Sequence, residues 1–263
     1  MPATVRSRRE AGSRLRAMTE PVRIAMWSGP RNISTALMRS FGSRADTAVV
    51  DEPLYAHYLK ATGADHPGRD EVIARHETDW RRVVASLTGP APDGKRVFYQ
   101  KHMAHHLLPE LDRAWIGGLT NCFLIRDPAE VITSFVKVVA DPTPEELGLP
   151  QQWELFESER VRTGRTPPVI DSRDVLTDPA TMLAMLCDRV GIPFDAAMLR
   201  WEAGPRETDG VWGPHWYASV YRSTGFEPYR AKEEPVPERL AGVYERCRAI
   251  YERLAEHRLR VQG

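Results

Sequence analysis

Apolar residues gather into short unbroken runs separated by segments of helical spacing. VRIAMW at 22–27, RVFYQKH at 96–102 and NCFLIRD at 121–127 read as strands buried on both faces, with the shorter TAVVDE at 47–52 as another. Apolar positions recur at helical intervals over 34–43, 71–87, 107–114 and 129–138. PPVIDSRDVL at 167–176 offers a further strand. The helix expected over 178–190 has Pro179 in its first turn and Gly191 just past its end, the asymmetry that helix termini favour. Strands alternating with helices predict an α/β fold, a three-layer sandwich with a mostly parallel central sheet.

The pattern weakens in three places. Residues 141–168, rich in Pro, Glu and Arg, are expected to form a surface helical insertion. From 201 to 229 the chain is aromatic, punctuated by Gly and Pro, and almost without periodicity, and long irregular stretches of this kind tend to carry function. A last amphipathic helix is expected over 237–259. Residues 1–17 are basic and lack the apolar centre of a secretory signal, while MTEPVRIAMW reads as a natural start at Met18. The expected organisation is therefore a disordered or mis-assigned extension over 1–17 and a single α/β domain over 18–263.

Charge and cysteine content narrow the classes. With 36 basic and 36 acidic residues the formal net charge is zero, which argues against non-specific nucleic-acid binding and against an anionic membrane surface. No apolar run approaches the roughly 20 residues that span a bilayer. Cys122, Cys187 and Cys247 are far apart and odd in number, which fits a reducing, cytoplasmic setting.

Candidate chemistry begins where the first strand ends. IAMWSGPRNISTALMRSF, at 24–41, passes from strand through Gly29, Pro30, Arg31, Asn32 and Ile33 into a helix starting near Ser34 and Thr35. In parallel sheets ligands sit beyond the carboxyl ends of the strands, where helix amides attract anions. Arg31 adds a planar cationic fork and the two hydroxyls add donors, but the Gly-Lys-Ser/Thr ending of a nucleoside-triphosphate loop is missing. By itself the segment is equally an ordinary strand-to-helix turn with Ser34 as its cap. A second segment, LIRDPAEVITSF, puts Arg126 at a strand end, Asp127 and Pro128 at a helix start and Ser134 two turns on, a pair able to grip a phosphate beside the helix.

Together these segments resemble the sulfotransferases that use 3′-phosphoadenosine 5′-phosphosulfate (PAPS). The family's first loop, often Pro-Arg-Ser-Gly-Ser/Thr-Thr, is matched by residues 30–35, with Asn32 and Ile33 where Ser-Gly is usual. The family's Arg…Ser pair for the 3′-phosphate is matched by Arg126 and Ser134, and VIDSRDVLTDPATMLAMLCDRVGIPFDAAML resembles a third family segment. The resemblance covers roughly 22–200 and extends in the tail to a subgroup that includes plant branched-chain-aminotransferase-like proteins. It implies a P-loop-like sandwich, PAPS as cosubstrate, no metal, and sulfuryl transfer to a hydroxyl or amine of a small soluble acceptor. It also implies Arg31 at the leaving oxygen, and a late closing segment for which Arg222 and Gly225 in YRSTGF are the candidates. An Ile33 with positive φ would be strained, so the loop either takes another path or alters the donor site.

Two residues compete as the base. Glu52 follows the second strand, as the base does in several sulfotransferase branches. His102 in YQKHMAHHLLP aligns loosely with another branch's Lys-Thr-His and has a suitable unperturbed pKa. Lys101 is either a sulfate contact or a solvated lysine. His102, His105 and His106 are disfavoured as a metal site because no carboxylate stands by to orient them. Trp212, Trp216, Tyr217 and Tyr221 either wall a pocket or pin the tail to the core. The alternatives are a P-loop-type small-molecule kinase with Asp127 bearing Mg²⁺, and a non-catalytic nucleotide-binding homologue. A homodimer is left open.

Overall fold

A computed structural model describes residues 20–232 and 234–260, so the expectation for 1–17 lies outside the described residues. Five parallel strands, β1 (Val22–Ser28), β2 (Thr47–Asp51), β3 (Val97–Met103), β4 (Thr120–Ile125) and β5 (Val169–Asp171), form one sheet in the order β2-β3-β1-β4-β5. The central strand shows why the apolar runs are unbroken. Ile24 and Met26 face one layer, with Leu37, Phe41 and Leu183. Ala25 and Trp27 face the other, with Phe156 and Leu254. Both faces are covered, so neither parity of the strand is polar.

The helices are α1 (Ser34–Gly42), α2 (Tyr55–Thr62), α3 (Arg69–Arg75), α4 (Trp80–Thr88), α5 (Pro128–Phe135), α6 (Leu149–Thr163), α7 (Ser172–Thr177), α8 (Pro179–Val190), the short α9 (Gly213–Trp216) and α10 (Ala218–Arg222), and α11 (Ala241–Glu256).

Several expectations are corrected, each for a local reason. The helix expected over 71–87 is two helices, because the Asp79 carboxylate accepts from the Arg81 amide and starts α4 afresh. The strand expected over 167–176 ends at Asp171, whose side chain caps α7. No α-helix forms over 107–114; short 3₁₀ turns stand at Ala104–His106 and Ala114–Gly118. Residues 141–168 are not a surface insertion. Helix α6 drives Leu155 and Phe156 into the core and buries Gln152 and Glu159. Helix α2 was not foreseen in the sequence; its Tyr55, Tyr58 and Leu59 pack with Trp212 and Tyr217 of the irregular tail.

Candidate functional site

Strands β1, β2, β3 and β4 all point their carboxyl ends toward one rim, as a parallel sheet must. At that rim lies a cavity of about 240 Å³, lined by residues 30–36, Glu52, Lys101, Arg126, Ser134 and an aromatic wall. The structure thus brings Pro30, Arg31, Asn32, Ile33, Ser34, Thr35, Glu52, Arg126 and Ser134 to one space. Gly29 stands behind it, where a Cβ would run into the Leu147 carbonyl.

One end of the cavity is arranged for an anion. Four helices elsewhere, α4, α5, α7 and α8, have their first amides capped by Asp79, Asp127, Asp171 and Asp178. Helix α1 has no side-chain cap, as is true also of α2, α3, α6, α9, α10 and α11, but its first residues Ser34, Thr35 and Ala36 line the cavity, so its first-turn amides remain available there at the positive end of the helix dipole. Ile33 occupies the cap position at φ −85°, and the left-handed turn falls on Arg31 at φ 58°. The loop therefore takes another path, and Ile33 is spared the strain expected of it.

Arg31 Nε donates to the Ser134 hydroxyl at 2.8 Å. Arg126 donates to the Arg31 carbonyl at 2.7 Å and to Glu130 Oε2 at 2.8 Å. Burial, and then the neighbouring Arg126, hold the Arg31 guanidinium below its ordinary value. Two cations held this close favour an anion between them.

The tail passes beside this end, though not through the expected residues. Arg222 and Gly225 do not line the cavity; Gly225 instead bridges to Arg200. Tyr229 and Lys232, which do not line the cavity either, contact Glu130, the Tyr229 hydroxyl donating to Oε1 at 2.7 Å and Lys232 Nζ to the backbone carbonyl at 3.2 Å. The Lys232 ammonium is lowered by burial and then by Arg126, which places it in the field of the same cation. Nothing in the local sequence distinguishes Lys232 from other surface lysines.

The other end holds Glu52, which is also left-handed at φ 39°. Burial raises its carboxyl above the usual range, against the opposing pull of Lys101. Lys101 is fully buried and pairs with Asp51 at 2.8 Å and Glu52 at 2.6 Å, so it is not a solvated lysine. Tyr55, His66, His105, His106, Trp216 and Tyr217 continue the wall. Burial pushes His105 down to about 3 and His106 well below its ordinary value, so both rings are neutral at pH 7.

His102 does not reach this space. Side chains alternate along β3, so Lys101 faces the α1 layer while His102 turns into the opposite one. There its ring stacks on Trp27 at 4.3 Å and meets Gln100 Oε1 at 3.2 Å. Burial pushes it down to about 3, and the sequence-based candidacy of His102 as base is withdrawn on this geometry.

Among the described residues no group of three or more His, Cys, Asp or Glu is arranged to hold a metal, and no helix is long and apolar enough to cross a membrane. Asp127 spends its carboxylate on the Ala129 amide, at 2.8 Å.

Comparison with known proteins bears on this geometry. The chain is similar to branched-chain-amino-acid aminotransferase-like protein 1 of Arabidopsis thaliana, 42% identical over 240 residues, 91% of this chain and 43% of that protein. It is 37% identical to the like protein 2 of the same plant, over 89% of this chain and 41% of that one. The chain thus spans less than half the length of these curated relatives. Among solved structures, the sulfotransferase domain of the Synechococcus PCC 7002 olefin synthase superposes with a TM-score of 0.52 at 14% identity, covering 90% of this chain and 94% of that domain. That likeness supports the fold. The sequence matches the sulfotransferase domain family over residues 22–242, and the chain belongs to that family.

Proposed function

We propose that this chain is a PAPS-dependent sulfotransferase that moves a sulfuryl group to a hydroxyl or amine of a small acceptor. The observation that carries the reading is the uncapped α1 start, braced by the Arg31, Ser134 and Arg126 contacts, in the same cavity as a buried carboxylate. The residues present fit the donor: free amides and Arg31 for a phosphosulfate, and Arg126 and Ser134 for a second phosphate, with Lys232 adding positive charge beside Arg126. When bound, PAPS would supply the sulfuryl group. Arg31 and the loop amides would bind its anionic end and stabilise charge as it builds on the departing phosphate oxygen.

Glu52 would take the proton from the acceptor hydroxyl or amine. A carboxylate raised by burial is better matched to such a proton than an ordinary one. The aromatic wall would orient the acceptor and exclude water. A kinase reading is weaker, since the loop has no lysine and Asp127 is engaged as a helix cap. The donor class is tested by calorimetric titration with 3′,5′-adenosine bisphosphate beside ADP and ATP, with and without Mg²⁺. Metal-independent bisphosphate binding, weakened in Arg126→Ala, is expected. Binding of ATP alone, and only with Mg²⁺, would overturn the proposal. With the donor established, an acceptor screen with PAPS follows.

A further inference from the structure

The cluster beneath Glu52 is unusual in how completely its donors are consumed. Lys101 Nζ has three N–H bonds, and all three have partners: Asp51 Oδ1 at 2.8 Å, Glu52 Oε1 at 2.6 Å and the Tyr217 hydroxyl at 2.7 Å. The Tyr217 hydroxyl also receives Trp212 Nε1 at 2.8 Å and donates to Asp51 Oδ2 at 2.7 Å. Asp51 Oδ2 in turn accepts from the Gly210 amide at 3.3 Å. Lys101 therefore has no N–H left for a bound anion. Leaving one partner of such a buried pair unmatched is costly, so the lysine cannot readily swing away.

One oxygen escapes this saturation. Glu52 Oε1 is held by Lys101, with Tyr217 at 3.3 Å, while Oε2 takes no hydrogen bond from the described residues and the side chain keeps 12% of its surface open at the cavity. That oxygen is open at the cavity, where a bound acceptor can meet it.

We infer that Lys101, braced by Asp51 and Tyr217, is a positioning residue that pins Glu52 by Oε1 and presents Oε2 to the acceptor. This rests on the reading of Glu52 as the base. It also gives the irregular tail a task, because Gly210, Trp212 and Tyr217 form one side of the brace. The charged and titratable groups around Glu52 are Asp51 on β2, Lys101 on β3, Tyr55 on α2 and Tyr217 from the tail. They act in opposed directions, which makes the arrangement testable by sign.

The full chain is labelled with [δ-¹³C]glutamate, and the Glu52 signal is identified as the one lost in Glu52→Gln. That signal is titrated in the wild type, in Lys101→Met and in Asp51→Asn. Removing the cation is expected to raise the Glu52 midpoint by about one pH unit or more, and removing the neighbouring anion to lower it. General loosening of the fold would not move the two variants in opposite directions. Unchanged midpoints, or shifts of the same sign, overturn the inference. If Lys101→Met does not fold, the downward shift in Asp51→Asn decides alone. Bisphosphate calorimetry on the same wild-type sample keeps the questions apart, since absent binding would sink the donor reading while the carboxyl titration still tests the brace.

Discussion

The two ends of the cavity use the same kinds of side chain to opposite effect. At the α1 end the cations keep donors in reserve. Arg31 commits only Nε to Ser134, and the helix amides have no cap. At the Glu52 end the cation keeps nothing in reserve, and the group left open is an acceptor, Glu52 Oε2. A site that must hold an anion and deprotonate its partner needs spare donors at one end and a spare acceptor at the other. Hydrogen-bond saturation decides which is which, and net charge does not.

The sharpest way to break this comparison is to remove the spare acceptor. Glu52→Gln is expected to lower turnover by about 10²–10⁴-fold, with bisphosphate affinity preserved, measured with an acceptor returned by the PAPS screen. The pH profile tests the same group without mutation. The base works when ionised, and burial raises Glu52 above the usual carboxylate range. Turnover should therefore fall as pH drops through that raised value, above the roughly 4.3 of an exposed glutamate. An acid limb at or below the ordinary value would remove Glu52 from the role.

Removing a spare donor comes next. Arg126→Ala should weaken bisphosphate binding by about 10–100-fold, the range of one or two charge-assisted hydrogen bonds. Lys232→Ala should cost about threefold in the same titration, as expected of an exposed cation beside the site. An equal loss in Glu52→Gln would erase the distinction between the ends. The smallest effect on function is expected from His102→Gln, where turnover should stay within about twofold while thermal unfolding shows a loss of about 1–3 kcal/mol. A turnover collapse with intact folding would return His102 to the chemistry.

Much of the architecture was legible in the sequence. Four of the five strands announce themselves because parallel strands covered on both faces are continuous apolar runs, and the phosphate-type loop stands out by composition. The same continuity hid the orientation of β3. Lys101 and His102 are adjacent, so only one can face the α1 layer, and a run that is apolar on both parities does not say which. The brace was hidden for a different reason. Asp51, Lys101 and Tyr217 meet only because β2 pairs with β3 and the tail folds back over both. Arg222 and Gly225 were chosen by likeness to a closing motif, whereas the chain brings Tyr229 and Lys232 onto Glu130 beside Arg126. Loop composition carries little information about where a long irregular stretch returns.

Backbone conformation also separates the site from its scaffold. Among the described residues three that are not glycine adopt the left-handed region, Arg31, Glu52 and Asp93, and two of those three line the cavity. Each such residue stores on the order of 1–3 kcal/mol. Glycine at 31 or 52 would relieve that strain, but at 52 it would leave a buried Lys101 N–H without its partner, a loss larger than the strain relieved. For this chain the strain at 31 and 52 is tied to the contacts that shape the cavity, Arg31 with Ser134 and Glu52 with Lys101, so it cannot be removed without loosening them.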